Sequence, residues 1–202
     1  MRRAAAWIGS VALAGCAAAP PGAPPAPAAA SIAAPVARPP TAPSAGPALR
    51  NASFETAFPP ENRCAPGWDC TMHNDPRAFR FYLQDDAAAG ARSLCIERVH
   101  DEPWALVTQG FDGPRVRGAK LRLSMAVKVD GVTGEGAGPW ALVQGRPPIN
   151  PRRLVRGTAG WQRLSIDIAV PSDGSFLEVG ATLEGPGRAC FDDVRLEVLP
   201  AG

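Results

Sequence analysis

The sequence predicts an all-β domain, a β-sandwich of about nine strands, carried behind a stretch that cannot build a core. Three observations predict it. From Ala48 onward, short apolar runs are punctuated by Gly, Pro and Asp, and no run has helical periodicity. Two of the runs, Lys120 to Val129 and Trp161 to Val170, alternate apolar and polar residues with the period of a half-buried strand. Before them, residues 17–48 hold ten Pro and fourteen Ala, with Arg38 as the only charge, a composition that gives a core nothing to bury.

Taken in order, residues 1–15 read as an export signal. Arg2 and Arg3 form a basic start, Trp7 to Ala14 is an apolar stretch too short to cross a bilayer, and small residues follow it. The run Leu13-Ala14-Gly15-Cys16 looks like a bacterial lipobox, which implies that Cys16 becomes the acylated first residue of the mature chain. A lone acyl chain anchors only marginally, and the lipobox resemblance implies several. The alternative is an ordinary secretory signal cut near Ala19, with the cysteine discarded. Ala17 stands where an aspartate would mark inner-membrane retention, so in a Gram-negative host the expected address is the outer membrane. Residues 16–48 are then a lipid-anchored Pro/Ala-rich tether. In polyproline II, at about 3.1 Å per residue, it reaches on the order of 100 Å.

Residues 49–202 are of single-domain size. The precursor has 21 basic and 19 acidic residues, and loss of Arg2 and Arg3 leaves 19 of each sign. That balance argues against nucleic acid as a partner. With Cys16 set aside, Cys64, Cys70, Cys95 and Cys190 remain, an even set in an exported protein, which favours disulfides. Of the three possible pairings, Cys64 with Cys70 is favoured by the Pro66-Gly67 turn between them, and it leaves Cys95 with Cys190. Zinc is the rival reading, but the spacings are not those of paired CxxC knuckles and only two histidines exist.

The strands follow from the pattern. An opening strand is expected near Asn51 to Glu55, then Phe79 to Leu83, Leu94 to Val99, and Ala105 to Gln109. In Lys120 to Val129, Leu121, Leu123, Met125, Val127 and Val129 share one face, and Lys120, Arg122, Ser124 and Lys128 the other. Trp140 to Val143 comes next, then Trp161 to Val170 with Leu164, Ile166, Ile168 and Val170 inward, ended by the turn Pro171-Ser172-Asp173-Gly174. Leu177 to Leu183 and Cys190 to Leu199 complete the set. On a plain final strand, Asp192 would point inward and Phe191 outward. A β-bulge at Asp192-Asp193 returns Phe191 to the core and turns Cys190 to the side on which Cys95 lies.

Asn51-Ala52-Ser53-Phe54-Glu55, ARSLCIERV, KLRLSMAVKV, WQRLSIDIAVP and FDDVRLEVL, in that order, resemble the galactose-binding-like jelly roll of many carbohydrate-binding modules. The second half, from GPWALVQGRPP to the end, is also similar to a small β-sandwich domain attached to bacterial regulators and envelope proteins. The jelly-roll resemblance implies that Glu55 and Asp192 help to hold a structural calcium ion, a chemistry that suits oxygen ligands. Against that stands a simpler role, in which Asp192 accepts backbone N–H groups at the bulge and Glu55 is solvated.

Ligand-face candidates are the aromatic and polar residues outside the core pattern: Trp68, Tyr82, Trp104 and Arg146, with His73, Trp140 and Asn150 behind them. Trp68, in the loop between two cysteines, is the preferred exposed ring, whereas Trp161 and Trp140 are expected as core anchors. Arg115, Arg117, Arg122, Arg152, Arg153 and Arg156 read more simply as solvated strand and loop positions than as a patch for an anionic glycan. His73 and His100 are isolated. No GxSxG, HExxH or phosphate-loop motif occurs, and neither Asp85-Asp86 nor Asp192-Asp193 is set across an evident cleft. No enzyme is expected. The sequence therefore points to an envelope lipoprotein whose module binds a glycan or peptidoglycan. A protein partner in the envelope is the alternative and a cryptic hydrolase the third reading.

Overall fold

The computed structural model describes residues 44–45, 47–58, 64–150 and 153–200. The export signal, Cys16, nearly all of the tether and Arg152 lie outside the described residues. Among the described residues, nine strands and one helical turn follow each other: β1 Ser44–Ala45, β2 Asp69–Met72, β3 Phe79–Gln84, β4 Ser93–Arg98, β5 Trp104–Asp112, α1 Gly113–Val116, β6 Lys120–Val143, β7 Val155–Ala169, β8 Phe176–Glu184 and β9 Arg188–Val198. All the pairings are antiparallel.

The all-β sandwich is present, and β6 builds it by taking part in both layers. Its first part pairs with β7 and β9, and its last part, Gly136 to Val143, pairs with β8. One layer runs β2-β5-β8-β6 and the other β7-β6-β9-β4-β3, with β1 added beside the end of β9. The two expected strands Lys120 to Val129 and Trp140 to Val143 are thus one 24-residue element. Between them Gly131, Gly134 and Gly136 take positive φ, a region open to glycine without strain, and this lets the strand pass from one layer to the other.

The inward faces are those the alternation predicts. Leu121, Leu123, Met125, Val127 and Val129 are buried against Leu94, Ile96, Phe191, Leu177 and Leu183 in one continuous core. Ser124, expected on the open face, is buried as well, covered by Arg163, whose Nη1 donates to its hydroxyl at 3.3 Å. The Pro171–Gly174 turn closes with Gly174 N donating to Pro171 O at 3.0 Å.

Two expectations are corrected. Asn51 to Glu55 is not a strand: Asn51 and Phe54 adopt left-handed backbone, and Phe54 N closes a turn on Asn51 O at 3.1 Å. The turn drives Phe54 into the core against Trp68, with ring centroids 5.2 Å apart. Asp69–Met72, in the segment between two cysteines expected as a loop, is the edge strand β2, paired to β5 from Thr108 to Ala105.

Candidate functional site

The bulge on β9 sets the site. Ser124 and Ala126 of β6, two residues apart, face Arg195 and Asp192, three apart, and Asp193 takes a φ of 46° to absorb the extra residue. Beyond it Phe191 is fully buried in the core, and Cys190 lies on the opposite side, directly across from Cys95. The Cys95–Cys190 disulfide is formed, with Cα atoms 4.0 Å apart, as is Cys64–Cys70 at 5.5 Å. Both pairings agree with the sequence reading.

Asp192 is completely buried. Its Oδ2 accepts the N–H groups of Ala88 and Ala89, each at 2.8 Å, and its Oδ1 accepts that of Asp193 at 2.6 Å. Glu55 Oε1 accepts from Ala91 at 2.9 Å and Arg92 at 3.3 Å. The two carboxylates therefore clasp the loop after β3 through amide donors. A hard cation needs carboxylate oxygens free to ligate it, and Asp192 Oδ1, Asp192 Oδ2 and Glu55 Oε1 already face N–H groups. No group of three or more His, Cys, Asp or Glu among the described residues is placed to hold a metal ion. As arranged, the pair does not fit calcium. Burial pushes the Asp192 carboxyl up from its ordinary value, and the three N–H groups oppose that shift.

Outside the core, the face of the five-stranded layer carries an ordered set of side chains. Register places Tyr82 opposite Cys95, Cys95 opposite Cys190 and Cys190 opposite Lys128, a row running across four strands. Trp161 continues it on β7, where pairing to β6 shifts between Val127 and Val129. At about 4.8 Å per strand the two rings stand roughly 19 Å apart along the row. A parallel row runs Arg80, Glu97, Arg188, Asp130, alternating in charge.

These charges neutralise one another. Arg80 Nη2 meets Glu97 Oε2 at 2.8 Å, Arg188 Nη2 meets Asp130 Oδ2 at 2.7 Å, and Lys128 Nζ bonds Asp86 Oδ2. Trp161 Nε1 donates to the other oxygen of Asp86 at 3.0 Å. Hydrogen bonds from Lys128 and Trp161 hold the Asp86 carboxyl below the usual carboxylate range. The Tyr82 hydroxyl stands against Arg188 and, with Asp130, holds that guanidinium protonated. Gln84 Nε2 reaches Cys190 Sγ at 3.3 Å, so the disulfide is floored into the face. Two shallow depressions of about 340 and 40 Å³ open there, and Asp130 and Arg188 line both.

The sequence candidates divide. Tyr82 belongs to this face. Trp68 does not: at 5% exposure it is a core residue, its Nε1 tied to Asn51 O at 3.1 Å, because the disulfide loop folds the ring inward. Trp104 is half-buried at the start of β5 in the other layer, edge-on to His73 with centroids 5.8 Å apart. Arg146 is exposed in the turn after β6. The structure therefore does not bring Trp68, Tyr82, Trp104 and Arg146 together. Trp140 is buried as expected, but Trp161 is only half-buried and belongs to the face. Glu97, Lys128, Asp130 and Arg188 were missed. Lys128 lay on a predicted open face, yet only cross-strand register shows which residues are its neighbours.

No family model matches the chain. An uncharacterized HTH-type transcriptional regulator of Bacillus subtilis, YbfP, is 28% identical over 120 residues, covering 56% of this chain and 40% of that protein. The chain thus spans well under half the length of that relative. Among solved structures, the CBM22-1 xylan-binding domain of Paenibacillus barcinonensis Xyn10C is similar with a TM-score of 0.58 at 16% identity, covering 80% of this chain and all of that one. A family 22 carbohydrate-binding module of Clostridium thermocellum Xyn10B gives 0.53 at 15% identity over 73% of this chain and 91% of that one. The enzymatically active domain of a bacteriophage CBA120 tailspike gives 0.51 at 13% identity, covering 75% of this chain and 21% of that one. These likenesses show the fold, a jelly-roll β-sandwich of the kind found in carbohydrate-binding modules.

Proposed function

We propose that the chain is an envelope lipoprotein whose sandwich is a non-catalytic binding module for a polysaccharide. The observation that carries the reading is the row from Tyr82 to Trp161 across the five-stranded layer. Two half-buried aromatic rings about 19 Å apart offer apolar platforms for sugar rings. Between them, the guanidiniums, the Gln84 amide and the Tyr82 hydroxyl supply directional hydrogen bonds to sugar hydroxyls. The ion pairs keep these groups in place before a ligand arrives, which limits the ordering cost of binding. They also leave the carboxylates poorly suited to catalysis. Glu97, Asp130 and Asp86 each face a cation, and Asp86, held below the ordinary carboxylate range, is ionised near neutral pH and has no proton to give to a leaving group. Jelly-roll resemblance and the lipobox at Cys16 support the same reading: a binder held at the outer membrane by a Pro/Ala-rich tether.

The test is retention of the purified domain on insoluble polysaccharides and on peptidoglycan sacculi. Tyr82→Ala and Trp161→Ala are each expected to weaken retention at least tenfold while melting is preserved. If the intact domain is held by no polysaccharide, the reading is wrong and a protein partner becomes the better account. Incorporation of labelled palmitate, abolished by Cys16→Ala, tests the anchor.

A further inference from the structure

The two layers end in edge strands, β2 on one and β3 on the other, that are not paired with each other. Their inward rows face the mouth between the layers. Cys70 and Met72 come from β2, opposite Val107 and Ala105, and Phe79 and Phe81 from β3, opposite Arg98 and Ile96. Together with Phe58 they line an open groove of about 890 Å³. Arg80 and Tyr82, from the other side of β3, and Glu97 of β4 opposite Arg80 line the same groove. Those three residues also belong to the polysaccharide face. The groove is therefore continuous with that face, wrapped around a single edge strand.

We infer that the polysaccharide this face binds carries an apolar substituent, an acyl or aryl ester, and that the groove between β2 and β3 receives it; the inference rests on the polysaccharide reading above. Two features select that chemistry. The base is aromatic and thioether, so it gains from burying hydrocarbon. The cations at the rim are already spoken for, Arg80 by Glu97 at 2.8 Å and Arg77 by Asp75 at 3.3 Å. A free fatty acid would find no unpaired cation among these two, whereas an ester linked to a sugar brings no charge to neutralise. The volume is also of the size that small-molecule sites occupy, about 300–1,000 Å³. A substituent on a sugar stacked at Tyr82 has only the width of β3 to cross.

The experiment uses one polysaccharide retained by the domain, in its native form and sparsely esterified with octanoyl groups. Burying two or more methylenes is worth about tenfold in affinity, so the octanoylated form is expected to bind at least tenfold tighter. Phe58→Ser and Phe81→Ser should remove that gain and leave affinity for the unmodified form unchanged. Phe58 sits outside any strand, so its variant remains informative should the Phe81 variant fail to fold. Equal binding of both forms by the wild type, or a gain that survives both substitutions, overturns the inference. Octyl glucoside, followed by NMR, separates the two readings. Shifts confined to Phe58, Met72 and Phe81 in a domain that retains no polysaccharide would support the groove while the polysaccharide reading fails, and the absence of such shifts would overturn the groove.

Discussion

Removing the two disulfides separately should cost very different amounts, because they close loops of very different length. Cys95 and Cys190 are 95 residues apart, and Cys64 and Cys70 only 6. In the chain-entropy relation, the long loop is worth about 4.7 kcal/mol and the short one about 2.2 kcal/mol at 25 °C. For a domain of this size each kcal/mol moves the melting temperature by roughly 2–4 °C. Cys95→Ala with Cys190→Ala should therefore lower Tm by roughly 9–19 °C, and Cys64→Ala with Cys70→Ala by roughly 4–9 °C. Packing adds to the difference, since Cys95 and Cys190 are 0% and 3% exposed and their truncation leaves a void under Tyr82 and Lys128. Calorimetry of the two double variants, oxidised and free of reductant, gives the comparison directly. Near-equal melting of the two variants, or a larger loss from the short bridge, would refute the loop argument and place the stabilisation in local packing.

Other consequences can be measured on the same domain. Asp192→Asn removes one of two acceptor oxygens from a fully buried position that serves three N–H groups, and should cost about 1–3 kcal/mol with faster amide exchange at Ala88 and Ala89; an unchanged urea midpoint would count against the clasp. Calcium at millimolar concentration should leave Tm where EDTA leaves it, since Asp192 and Glu55 face amide donors, and a calcium-dependent rise would restore the ion. Asp86, lowered by Lys128 and Trp161, contributes stability that is complete above the ordinary aspartate range and is lost as pH falls through its lowered value. Asp192, raised by burial, acts in the opposite sense: the folded state gains as pH falls from above its raised value to the ordinary one. Carbon-13 titration of the two carboxyls checks both signs, and Trp161→Phe should move the Asp86 midpoint upward.

The fold was legible where strands are half-buried, because alternation writes the inward face directly into residues 120–129 and 161–170. The bulge was legible for the same reason: Phe191, Val194 and Leu196 can all be buried only if one residue is added between them. Neither the opening turn nor Trp68 followed from pattern. Left-handed backbone at Asn51 and Phe54 pulls Phe54 inward, and Trp68 packs on that ring, a contact between residues 14 apart with no periodic trace. The face was legible only in part. Tyr82 was named, but Lys128, Asp130, Arg188 and Glu97 become neighbours through the order of strands β3-β4-β9-β6, and local sequence does not encode strand order. Trp161 was misplaced by residue type: the alternation that puts Leu164, Ile166 and Ile168 inside already leaves position 161 on the open face, but a tryptophan in a small sandwich is expected as a core anchor.

The single strand β6 has a consequence for how the domain comes apart. One backbone is hydrogen-bonded into both layers, from Leu121 beside β9 to Val143 beside β8. Neither layer can lose its pairing there without pulling on the other, so melting should be one cooperative event, with fluorescence from Trp140 in one layer and Trp161 in the other tracing the same curve. Assembly carries the matching burden. Most partners are far apart in sequence, β4 with β9 above all, so the chain must close long loops before contacts repay them. A domain built this way folds late and unfolds as a whole, which leaves few partly open states for a protease to cut.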